Sequence, residues 1–207
     1  MLELRNVTKR YGRKAVIAEL SHDFAPGVTV ITGPSGAGKS TLLRLCATVE
    51  WPTSGQVLWN DAALGRRPKA YRLGLGYAPQ RIDFPEDISA LDFMLHVASL
   101  KALPLRAARE QAQALLGRVG LGADATRRIA TFSGGMRRRL GLAQAFLGAP
   151  HILILDEPTA ELDRVTAGHV HDLIFETAKR ATVLMTTHLD DGLDARGIAR
   201  LAITPAA

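Results

Sequence analysis

The sequence predicts an α/β fold, a mainly parallel sheet with flanking helices and a helical lobe inserted in its middle. Three observations predict it. Short β-branched or apolar runs alternate with helix-patterned stretches towards both ends of the chain. The run 152–155, Ile-Leu-Ile-Leu, is apolar without a break, as in a strand covered on both faces. Between these ends the pattern turns helical and stays so from about Ile82 to Phe132.

Each element has its own local reason. Leu2 and Leu4 alternate with polar residues, which reads as an edge strand. The β-branched run 28–32 ends at Gly33, and after a glycine-rich turn a helix is expected from Lys39 to about Thr48. Residues 55–60 read as a short strand after the Pro52/Gly55 turn, and 73–78 as another. Ser89 and Asp92 form a capping box for a helix with Leu91, Met94, Leu95 and Ala98 on its spacing. Pro104 and Leu105 open a second helix that reaches about Val119, and a third begins near Gly134 and ends by Pro150. A helix over 161–180, a strand over 182–185 and a short coda complete the chain.

The 207 residues are 47% hydrophobic and 22% charged, enough apolar material for one core and too little charge density for a disordered chain. A formal net charge of +6 admits nucleic acid, an anionic surface or phosphate-bearing ligands as partners. Cys46 is the single cysteine, so neither an intrachain disulfide nor a cysteine zinc site can form; it reads as a small buried apolar residue. The first ten residues lack the apolar stretch of a signal peptide, and no run is long and apolar enough to span a bilayer. The longest candidate, 140–155, is interrupted by Gln144, Pro150 and His151.

The chemistry concentrates in two places. Gly33-Pro34-Ser35-Gly36-Ala37-Gly38-Lys39-Ser40, followed by Thr41, fits the phosphate-cradling pattern Gly-x-x-x-x-Gly-Lys-Ser/Thr throughout. Its glycines let backbone N–H groups turn towards phosphate oxygens, and the helix opening at Lys39 adds its positive end. Lys39 is placed to bridge the β- and γ-phosphates and Ser40 to put its hydroxyl on Mg²⁺. The fold is then that of a P-loop NTPase. The second place is Asp156-Glu157, where the apolar strand ends; open α/β sheets bind ligands at that edge. Asp156 suits Mg²⁺, and Glu157 suits a general base for the attacking water.

Phe132-Ser133-Gly134-Gly135-Met136, lying between those two motifs, resembles the signature of ABC ATPases, and the resemblance extends over nearly the whole chain in the family's order. It implies an N-terminal antiparallel β-subdomain, one lobe formed by 1–81 and 133–207, and a helical signature lobe at 82–132. It makes Gln80, in Tyr-Ala-Pro-Gln, the Q-loop residue that senses Mg²⁺ and the γ-phosphate. Ala160-Glu161-Leu162-Asp163 is similar to the D-loop, His188 to the switch histidine, and Tyr11 to the aromatic residue that stacks on adenine. Ser133, Gly134 and Gly135 would then bind ATP held by a second subunit, so catalysis would need a head-to-tail homo- or heterodimer. Met136 and Glu161 depart from the family's usual Gln and small residue. No further regulatory domain is expected after His188.

By the same resemblance, the chain drives an integral membrane transporter subunit, is similar to exporter-type members, and sits in the cytoplasm on the inner face of the cell membrane. Ile88, Leu91, Phe93, Met94, Val97 and Leu100 would either pack in the helical lobe or form the groove for that membrane subunit. The basic runs at Arg66, Arg67, Lys69 and Arg72 and at 137–139 read as solvated faces. Two competing readings remain: a soluble ABC ATPase acting on nucleic acid or ribosomes, and an ATP-gated clamp with little turnover. The chain carries neither a second cassette nor a long coiled-coil insertion, so nucleic acid is not the expected partner.

Overall fold

A computed structural model describes residues 1–65, 68–187 and 197–205. In chain order its first half comprises β1 (Leu2–Tyr11), β2 (Lys14–Phe24), β3 (Gly27–Thr32), α1 (Lys39–Cys46), β4 (Ser54–Trp59), β5 (Ala62–Ala63), α2 (Lys69–Leu73) and β6 (Leu75–Ala78). Then come α3 (Ala90–Leu100), α4 (Leu105–Arg118), a 3₁₀ turn at Ile129–Thr131, α5 (Gly134–Ala145), β7 (Ile152–Asp156), α6 (Arg164–Ala178), β8 (Thr182–Thr186) and β9 (Ala199–Ala202). The strands form an antiparallel sheet of order β2-β1-β4-β5 and a parallel one of order β6-β7-β8-β3-β9.

The parallel sheet is covered on both sides, and its side chains divide between two cores by simple alternation. Val28, Val30, Leu153, Leu155, Val183 and Met185 face the helical side, with α3–α6. Ile31, Ile152, Ile154 and Leu184 face α1 and the antiparallel sheet, where Leu2, Leu4 and Phe24 are fully buried. The unbroken apolar run at 152–155 is explained by this double cover.

β1 is not an edge strand. It lies between β2 and β4, with Leu2 paired to Phe24 on one side and to Trp59 on the other. Glu3 is buried beside Leu2 and Leu4, and Arg5 pairs with its carboxylate. One edge of this sheet is β2, whose apolar residues are spaced among Lys14, Glu19, Ser21 and Asp23 and so do not announce a strand.

Helix boundaries follow caps. The Ser89 oxygen accepts the Asp92 N–H and its hydroxyl donates to the Asp92 carboxylate at 2.7 Å, so the expected capping pair is present. α6 begins at Arg164 rather than 161, because Asp163 accepts the N–H groups of Val165 and Thr166 and Glu161 has a φ of 64°. α5 stops at Ala145, five residues before Pro150. It lies so close to β6 that a Cβ on Gly76 would fall 1.9 Å from the Ala145 carbonyl oxygen.

Of the apolar residues on and before α3, Leu91 and Met94 are buried, and Ile88, Phe93 and Val97 pack partly buried on the same core. Only Leu100, 68% exposed, stands clear of it. Val97 and Leu100 line a cleft of about 550 Å³ with Pro68, Arg72 and Leu73 of the α2 region. Among the described residues, no helix is long and apolar enough to cross a membrane.

Candidate nucleotide site

β3 runs out at Thr32 and hands the chain to the glycine turn, from which α1 starts at Lys39. The turn is closed by Ala37 N–H donating to the Pro34 carbonyl at 3.2 Å. Gly38 is the cap of α1, with φ at 96°; a Cβ there would meet Val16 Cγ1 at 2.9 Å and the Val16 carbonyl oxygen at 3.0 Å. Both the left-handed backbone and the close approach of β2 therefore demand glycine. The Lys39 ammonium donates to the carbonyls of Gly33 at 2.8 Å and Pro34 at 3.0 Å, which holds it across the mouth of the turn.

A cavity of about 370 Å³ opens over this turn. Its walls bring together Ser35, Gly36, Gly38, Lys39, Ser40 and Thr41 from the cradle, Val16 from β2, and Gln80 and Glu157 from the ends of β6 and β7. The Gln80 amide nitrogen lies 3.5 Å from a Glu157 carboxylate oxygen. Asp156 sits directly behind, 7% exposed, and lines with Gln80 and Glu157 an adjoining cavity of about 420 Å³. The Ser40 hydroxyl, the Gln80 amide oxygen and the Asp156 carboxylate are hard oxygen donors at this one sheet edge, a set that suits Mg²⁺.

Two polar neighbours fix the strand end. Thr186, one strand over on β8, gives its hydroxyl proton to Asp156 and accepts the Glu157 N–H. The Arg138 guanidinium donates to the Glu157 carbonyl, tying α5 to that residue, whose φ is 52°. Neither role is visible from spacing alone. The run 137–139 is a set of anchors and not a solvated face: Arg137 pairs with Glu86 at 2.9 Å, and Arg139 donates to the Val119 and Gly120 carbonyls. Arg72 likewise donates to Thr48; Arg66 and Arg67 lie outside the described residues.

Ser133 caps α5, accepting the Met136 N–H at 3.3 Å. It is exposed with Gly134, while the Met136 side chain packs against the helical core. Ser133, Gly134 and Gly135 do not line the cradle cavity of their own chain. Tyr11 is also outside it, 44% exposed at the end of β1. His188 lies outside the described residues. Cys46 is fully buried on α1, and burial pushes its thiol up to about 12, in keeping with a packing role.

Residues 17–160 match the family described as "ABC transporter". The chain is 37% identical over 190 residues to the uncharacterized ABC transporter ATP-binding protein YxlF of Bacillus subtilis, covering 91% of this chain and 63% of that protein. It is 33% identical to the Nod factor export ATP-binding protein I of Bradyrhizobium sp., covering 90% and 62%. The chain thus spans less than two thirds of the length of these two relatives. The lipoprotein-releasing system ATP-binding protein LolD of Syntrophus aciditrophicus is 32% identical, with 91% and 90% covered.

Among solved structures, the ATP binding subunit of an ABC transporter superposes with a TM-score of 0.90 at 23% identity, covering 99% of this chain and 86% of that one. A dimeric, post-hydrolysis state of the ATP-binding cassette MJ0796 bound to ADP and Pi superposes at 0.87 with 25% identity, covering 99% and 94%. Because the family's pattern takes in more than half of the sequence, and relatives above 30% identity align over about nine-tenths of it, the chain belongs to the ABC transporter family of ATP-binding proteins.

Proposed function

We propose that the protein binds and hydrolyses ATP and spends the cycle on a separate membrane subunit. The observation that carries this reading is the single cavity in which Lys39 and Ser40 face Gln80 and Glu157. Lys39 would clamp the phosphate tail, and the Glu157 carboxylate would accept the proton of the attacking water. Ser40, Gln80 and Asp156 would hold Mg²⁺, which when bound supplies positive charge to the phosphate oxygens. His188 is assigned to the γ-phosphate on sequence pattern alone, and Tyr11 to the adenine ring.

Catalysis on this reading needs two subunits head to tail, with Ser133 and Gly135 closing the partner's nucleotide. Two facts support it: Ser133 and Gly135 do not line the cradle cavity of their own chain, and the MJ0796 cassette is dimeric. The membrane subunit would seat a short cytoplasmic segment in the cleft between α2 and α3, beside Leu73, Val97 and Leu100. The protein would then work on the cytoplasmic face of the membrane. Export is the proposed direction, in line with the Nod factor export proteins among the relatives.

Glu157→Gln tests the assignment of the base. It should retain ATP, hydrolyse it at under roughly 1% of the parent rate, and accumulate as an ATP-bound dimer in size-exclusion chromatography. Hydrolysis at the parent rate would sink the assignment.

A further inference from the structure

Tyr11 stands on an exposed hairpin tip, where an aromatic side chain ordinarily samples several rotamers. Here it is tethered. Its hydroxyl donates to the Glu50 carboxylate, which also receives Lys9 Nζ at 3.0 Å and Arg44 Nε at 2.6 Å. The Lys9 ammonium lies 5.0 Å from the centre of the Tyr11 ring and donates to the Trp51 carbonyl. Arg44 Nη2 reaches the Tyr11 oxygen at 3.3 Å and donates to Thr41 Oγ1 at 3.0 Å. Thr41 is a wall of the cradle cavity.

We infer that Glu50 and Arg44 are positioning residues that lock Tyr11, as the platform for the nucleotide base, to the helix that carries the phosphate cradle. The inference rests on the proposal that Tyr11 stacks on adenine. Ser40 and Arg44 are four residues apart on α1, so they share a face of that helix. Through Glu50 the same helix then sets the distance between the base and the phosphates. Ordering the ring before binding lowers the entropy lost when the base arrives. Glu50 suits the task because its side chain is three-quarters buried and receives donors from three residues. A lone carboxylate would be costly there, and this one is not alone.

The test measures displacement of a fluorescent ATP analogue by ATP and by inorganic tripolyphosphate, which has the tail but no base. Glu50→Ala and Tyr11→Phe should weaken ATP by roughly three- to tenfold and leave tripolyphosphate unchanged. Tyr11→Ala should weaken ATP at least as much. If Tyr11→Ala weakens ATP while Glu50→Ala and Tyr11→Phe do not, the tether is overturned and the platform stands. If Tyr11→Ala has no effect on ATP, the platform itself is wrong and the inference falls with it. Equal losses for ATP and tripolyphosphate in Glu50→Ala would mark a general disturbance of α1 and overturn the positioning role. Tyr11→Phe removes one oxygen only, so it decides the matter even if Glu50→Ala does not fold.

Discussion

The hydroxyl of Thr186 meets the carboxylate of Asp156 at 2.6 Å, where the two residues stand in register on neighbouring parallel strands. The same oxygen accepts the Glu157 N–H at 2.9 Å, so one small side chain holds the Asp156 carboxylate and the backbone that carries Glu157. Valine has the shape of threonine without its hydroxyl. Thr186→Val should leave a buried carboxylate oxygen and an amide without this partner, at a cost of about 1–3 kcal/mol. The melting temperature should fall by roughly 2–4 °C per kcal/mol, and single-turnover ATP hydrolysis should slow more than ATP binding weakens. A variant that melts and turns over like the parent would show that Thr186 does not orient the pair.

At Gly38 the backbone and the packing make the same demand. Gly38→Ala would place a methyl group 2.9 Å from Val16 Cγ1 at a φ that side chains rarely adopt. Strain of about 1–3 kcal/mol is expected, with displacement of the cradle from β2. ATP affinity, measured by isothermal titration, should drop at least about tenfold. Parent affinity would mean that β2 yields without moving the turn.

Lys101 provides a pH test away from the nucleotide site. Its ammonium donates to the Leu75 and Leu147 carbonyls, each at 2.8 Å, and burial lowers its pKa from 10.5 to about 8. Below pH 8 the folded and unfolded chains both hold this proton, and the residue adds no slope. Between pH 8 and 10.5 the unfolded chain holds it and the folded chain has lost it, so stability from this group rises with pH across that window. Urea midpoints should therefore climb more steeply in the parent than in Lys101→Met between those limits. Identical slopes would mean that the Lys101 amine titrates alike in both states.

The parallel sheet and the cradle were legible because their signals are local. The run 152–155 lies within one strand and the pattern 33–40 spans one turn and the first residues of one helix, so β7 and α1 follow directly. β2 was not legible, because an edge strand shows one buried face only in part and mixes it with Lys14, Glu19 and Asp23. Leu2 and Leu4 alternate in the same way on a central strand, because Glu3 points to the opposite face, where Arg5 covers and pairs it. The start of α6 depended on the left-handed backbone at Glu161, which no spacing rule supplies. The partners of Tyr11 and Glu157 escaped for a different reason. Glu50 is 39 residues from Tyr11, and Thr186 is 29 residues from Glu157, so only the folded chain introduces them.

Gly76 has a mechanical consequence. With no side chain there, α5 rests almost directly on the edge strand at its Ala145 end. The helix is a stiff rod roughly 18 Å long, and Ser133 is at its other tip. A single methyl group at position 76 would be a wedge beneath the heel of that rod, while the bonds of residues 137–139 hold its other end. Seating the Ala145 end of the helix on the sheet therefore depends on an atom that the chain leaves out.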